Sequence, residues 1–119
     1  MTDPTHPRRA GTFAWQRALL AASPADIGAT SAAAARTTKL VGLALSVYAN
    51  ADGGSITVGQ TRLARDANLT TRAVRACLHD LRNTSWIIRT RHGARSARAQ
   101  TDAHALAIPL TSQPSEPTP

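Results

Sequence analysis

Nine arginines (Arg62, Arg65, Arg72, Arg75, Arg82, Arg89, Arg91, Arg95 and Arg98) fall within residues 59–98, against two acids, Asp66 and Asp80. A guanidinium is permanently charged, and its planar fork of donors fits phosphate oxygens and the O6/N7 edge of guanine. The rest of the chain carries five basic residues (Arg8, Arg9, Arg17, Arg36, Lys39) and five acidic ones (Asp3, Asp26, Asp52, Asp102, Glu116). The whole net charge of +7 therefore sits in one block. Such a block inside a foldable segment points to a polyanionic partner, most often nucleic acid. The plain alternative is a solvated basic face. The surplus of Arg and Ala over Lys also fits GC-rich coding, which accounts for the composition and not for the clustering.

Other chemistries find no residues to carry them. Cys77 is the single cysteine, so no intrachain disulfide forms and a cytosolic setting is the default. The histidines at 6, 79, 92 and 104 lack metal-ligand spacing, and Gly53-Gly54 is a turn and not a phosphate loop. No Ser, His and acid trio stands out. Neither catalytic group, metal site nor cofactor is expected. The longest apolar run, Leu40 to Ala49, is about half of the roughly 20 residues a bilayer span needs. Arg8-Arg9 invites a twin-arginine signal reading, which Gln16 and Arg17 interrupt.

The elements that would position the arginines follow from hydrophobic spacing. At 119 residues the chain suits one domain, and 24 alanines suit helices packed at short range. Residues 1–11 read as a disordered arm. Residues 12–36 read as an N-terminal helical extension, with a helix over 12–22, Thr12 as its N-cap, and Trp15, Leu19 and Ala22 on one face. The Ala-rich residues 31–36 read as helix late in the stretch, leading into the central helix over 37–49, whose stripe is Leu40, Val41, Ala44, Val47 and Tyr48, widened by Leu43 and Leu45. A turn over 50–54 and a β-prone stretch at 55–58 follow. Two short helices come next, at about 59–68 and 71–83. The second buries Val74, Cys77, Leu78 and Leu81, with Thr70 as N-cap. Residues 86–91 and 104–110 read as strands of a hairpin, Leu106 and Ile108 facing in, and 111–119 as a disordered tail. Trp15 and Trp86 are expected in the core, packing the first helix and the hairpin. The fold class is mostly α with a small β-hairpin, that is, α+β.

The order helix, short strand, helix-turn-helix, hairpin resembles a winged helix-turn-helix domain over about residues 37–110. The carrying residues are Leu63, Ala64, Ala67, Leu69, Val74, Leu78 and Leu81, followed by Trp86-Ile87. With its Trp-containing N-terminal segment and the run Lys39-Leu40-Val41, the chain is similar to short helix-turn-helix proteins of actinobacteria and their phages and plasmids. One position departs from that pattern. A glycine commonly precedes the Trp-Ile that opens the strand, and here Asn83-Thr84-Ser85 occupies the corner, with Asn83 the residue best suited to left-handed geometry.

The resemblance implies double-stranded DNA as partner, with helix 71–83 in the major groove. Thr71, Arg72, Arg75, Ala76 and His79 would face out. Arg72 and Arg75 would read guanine, Thr70 and Thr71 would meet phosphate or base, and Ala76 would allow close approach or touch a thymine methyl. His79 would reach the backbone, as would Arg62 and Arg65 from the preceding helix. Arg91, Arg95 and Arg98 lie in a wing over 91–102 that would enter the minor groove or follow phosphates, with Arg89 in the strand or the wing. Arg82 is expected to pair with a neighbouring Asp.

Three functions fit this reading: a transcriptional regulator, a replication or mobile-element maintenance protein on origin DNA, and a protein-interaction or RNA-binding winged helix. Many such proteins bind palindromes as homodimers. The helix over 12–22 would contact a protein partner or cap the domain.

Overall fold

The computed structural model describes residues 8–54, 56–91 and 103–109. Residues 1–7 of the expected arm, 92–102 of the expected wing and the tail over 111–119 lie outside them. The chain runs β1 (Arg8–Arg9), α1 (Thr12–Ala21), a 3-10 turn (Ala25–Ile27), α2 (Ala32–Ser46), α3 (Gln60–Ala67), α4 (Thr71–Asn83), β2 (Ile87–Arg91) and β3 (Ala103–Ile108). The fold is mixed α+β: among the described residues, four α-helices and an antiparallel hairpin that β1 extends in the order β1-β3-β2.

Strand β1 corrects the reading of a disordered arm for its last residues, from Arg8 on. Arg8 and Arg9 pair with Ile108 and Ala107, and Ala10 is buried and donates its N–H to the Leu106 carbonyl at 3.2 Å. A two-residue strand has no periodicity to read, so only its partner reveals it. Gly53 lets this segment in. It has φ +81°, and a Cβ there would lie 2.0 Å from the Ala10 carbonyl oxygen. Strand β3 is thus flanked on both edges: Ile87 lies opposite Leu106, while Ile56 bridges to His104 and Gly53 accepts from the Leu106 N–H. Residues 103–107 are all buried in consequence, Ile108 only partly. The alternation expected of a half-exposed hairpin strand is absent, and the alternating alanines at 103, 105 and 107 suit this close packing.

The two tryptophans tie the N-terminal helix into the domain. Trp15 and Trp86 are both fully buried and meet edge to face, with centroids 6.3 Å apart. The Trp15 indole N–H donates to the carbonyls of Trp86 (2.8 Å) and Ala107 (2.9 Å), while that of Trp86 donates to the Asp26 carbonyl (3.0 Å). Each buried indole thereby has its hydrogen bond satisfied while its rings fill the core. Helix α1 begins at Thr12, with Gly11 before it, so Thr12 is not the N-cap. The Thr12 hydroxyl donates instead to the Asn50 carbonyl, and its N–H to that of Ala51 at 3.1 Å, anchoring α1 to the loop after α2.

Helix α2 starts at Ala32, so the helical lead-in read late in residues 31–36 takes in nearly the whole stretch, and α2 crosses the domain boundary placed at residues 36–37. Ser31 caps it, accepting from the Ala34 N–H at 3.1 Å. Its buried stripe is Ala35, Thr38, Val41, Gly42, Leu45 and Ser46. Leu40 and Val47, expected to face in, are exposed. Gly42 explains the rotation. A Cβ there would lie 2.6 Å from Leu19 Cδ2 and 3.1 Å from Trp15 Cη2, so α1 crosses α2 over this glycine.

Helices α3 and α4 end alike. Asn68 (φ 57°) and Ser85 (φ 67°) take left-handed backbone. After α3 the Leu69 N–H returns to the Ala64 carbonyl (2.9 Å) and that of Asn68 to Arg65 (3.3 Å). After α4 the Trp86 N–H returns to Leu81 (2.8 Å) and that of Ser85 to Arg82 (3.0 Å). These paired bonds satisfy carbonyls that a helix end leaves open and aim Leu69 and Trp86 inward. The left-handed residue at the second corner is Ser85, and Asn83, expected there, remains helical.

Candidate nucleic-acid interface

Helix α4 carries more of the candidate residues than any other element, and its bounds coincide with those read from the sequence. Thr70 is the N-cap, its hydroxyl accepting from the Ala73 N–H at 3.1 Å. Val74, Cys77, Leu78 and Leu81 are buried, and Thr71, Arg72, Arg75, Ala76 and His79 are exposed on the opposite face. The small Ala76 lies one turn after Arg72, beside the arginines, and leaves the backbone of this face open to close approach. Cys77 belongs to the core. Burial pushes its thiol above the ordinary value, partly opposed by the hydroxyl of Thr38, 3.8 Å away. A thiol held protonated in apolar surroundings is an inert packing group.

Helix α3 lies against α4 and adds two arginines. Ala64 and Ala67 are buried, and Arg62 and Arg65 are exposed. Arg62 is engaged: its Nε donates to the Tyr48 hydroxyl at 3.2 Å and lies 3.7 Å from the Asp66 carboxylate, to which Tyr48 also donates. The bond to Tyr48, then the charges of Tyr48 and Asp66, hold the Arg62 guanidinium above its ordinary value. This cluster pins the C-terminal end of α2 to α3. Arg65 is exposed on the same helix.

The structure adds one residue that sequence reasoning missed. Gln60, the first residue of α3, accepts from Arg75 Nε through its Oε1 at 3.3 Å. Half-buried itself, it restrains the direction of Arg75. Nothing in its spacing signals this, because the contact depends on how α3 crosses α4.

The strand candidates part from this face. Arg89 is half-buried and pairs in register with His104, itself buried and 3.5 Å from Arg82 Nη1. Arg82 thus reaches toward β3. Arg91 ends β2. Arg95 and Arg98 lie outside the described residues. Among the described residues, no group of His, Cys, Asp and Glu could hold a metal ion, and no helix is long and apolar enough to cross a membrane. No family model, curated protein or solved structure matches the chain.

Proposed function

We propose that the chain is a sequence-specific duplex DNA-binding protein of the winged helix-turn-helix type, acting as a transcriptional regulator. In this reading α3 and α4 are the helix-turn-helix, α4 enters the major groove, and the hairpin with residues 92–102 is the wing. The observation that carries it is the outer face of α4: Thr71, Arg72, Arg75 and Ala76 stand exposed together at its N-terminal half, opposite a wholly apolar inner face. A major groove admits one helix, and the N-terminal half of that helix meets base edges. Arg72 and Arg75 read guanine, each contributing about 1–3 kcal/mol of discrimination. Gln60 orients Arg75, and Arg65, with Arg62 behind it, holds phosphate.

Selection from a random duplex pool at about 0.15 M salt tests this. Enrichment of a defined site is expected. A palindrome would indicate a homodimer, and an asymmetric site a monomer. Retention without enrichment would replace base reading by phosphate-driven binding. Retention of nothing would favour the RNA-binding or protein-interaction reading. A second DNA reading, a replication or mobile-element protein that holds origin DNA and recruits other proteins, is favoured by one observation: the large apolar side chains exposed on α1 and α2.

A further inference from the structure

The large apolar side chains that stand exposed among the described residues are Phe13 (73%), Leu20 (58%), Leu40 (45%) and Val47 (74%). They are not scattered. Phe13 and Leu20 lie seven residues apart on α1. Leu40 and Val47 lie seven apart along α2 and its cap, with half-buried Leu43 between them. Spacings of three, four and seven put each set in one row. The rows run side by side, because α1 and α2 are antiparallel: Gln16 Nε2 meets Ser46 Oγ at 2.8 Å, and Lys39 Nζ meets the Leu20 carbonyl at 2.9 Å. Helix α2 is therefore apolar on both sides, with Val41 and Leu45 inward and Leu40 and Val47 outward. Exposed apolar side chains gathered in rows, unlike scattered ones, mark an interaction surface.

The charges select the cover. Arg17 sits within the α1 row, and Arg36 and Lys39 lie on α2, while neither helix contains an acidic residue. A second copy of the chain would set these cations against their own counterparts. A bilayer would have to take in Arg17, which lies between Phe13 and Leu20 and not at the edge where a basic residue stays wet. A carboxylate-bearing helix answers both points, placing apolar side chains along the two rows and its carboxylates against the three cations.

We infer that the outer face of α1 and α2 is a docking surface for an acidic amphipathic helix of a partner protein, separate from the α4 face. The test uses the full chain and a labelled helical peptide of leucine and glutamate, followed by fluorescence anisotropy. Binding should weaken at least tenfold in the double variant Phe13→Ser/Val47→Ser and stay within twofold in Arg72→Ala/Arg75→Ala. Both replaced side chains are exposed, so the first variant should melt with the parent chain and bind DNA as before. The inference is overturned if the peptide does not bind or if a leucine–lysine peptide binds equally. It is also overturned if the loss follows Arg72 and Arg75, which would mean mere attraction to the basic block. Uptake by phosphatidylserine vesicles with the same dependence on Phe13 and Val47 would assign the face to a membrane. A homodimer abolished by Phe13→Ser/Val47→Ser would assign it to a second copy.

Discussion

Helices α3 and α4 present polar, arginine-bearing outer faces over apolar inner ones, whereas α1 and α2 leave apolar side chains on the outside as well. The first pair has one sensible way to rest on a core. The second has two, and the choice falls to a glycine: Gly42 admits Leu19 and Trp15, which turns Leu40 and Val47 to solvent. Amphipathic contrast orients a helix; apolar content alone does not.

The contrast can be broken by treating the N-terminal helix as removable. The indole bonds of Trp15 to the hairpin make α1 part of the domain that holds α4. Trp15→Ala should cost about 3–5 kcal/mol, measured by urea unfolding. It should lower a single transition in which α4 and the hairpin melt together. Loss of α1 alone, with the rest melting as before, would make α1 an appendage. Gly42→Val tests the pivot itself. Its extra carbons meet Leu19 and Trp15, and overpacking of this kind costs about 1–3 kcal/mol. A neutral result would mean that α1 and α2 do not cross over Gly42.

Two smaller effects sharpen the α3–α4 side. Ser85 holds a left-handed backbone that glycine adopts without strain, so Ser85→Gly should raise stability by about 1 kcal/mol. The same change at Asn83, a helical residue, should lower it. Gln60→Ala should reduce preference for the selected site by about 0.5–1.5 kcal/mol, the net worth of one hydrogen bond, and less than Arg75→Ala does. Competition between cognate and random duplexes measures both, and an effect of Gln60→Ala equal to that of Arg75→Ala would make Gln60 a reader in its own right.

These regions differ in legibility for the same reason. The spacing Val74, Cys77, Leu78, Leu81 identifies α4 to the residue because charged positions interrupt it on every turn. Leu63, Ala64 and Ala67 do the same for α3 within one residue at either end. The run Ala32–Ala35 offers no such contrast, so the start of α2 could not be placed, and the leucines and valines beyond it allow several rotations. Burial of Trp15 and Trp86 was legible from size and apolarity, but their hydrogen bonds to Ala107 and Asp26 depend on tertiary placement. Arg72 and Arg75 were legible as outward residues, being the complement of the buried stripe. The engagement of Arg62 by Tyr48, the Gln60–Arg75 contact and the half-burial of Arg89 were not, because each joins elements distant in sequence.

The proposal that α4 reads bases is tested most directly by the affinities of Arg72→Ala and Arg75→Ala for the selected duplex and for random duplex at one salt concentration. Each variant should lose about 1–3 kcal/mol on the selected site, roughly five- to 150-fold, and much less on random DNA. Equal loss on both would reduce the two arginines to phosphate contacts and contradict base reading by α4.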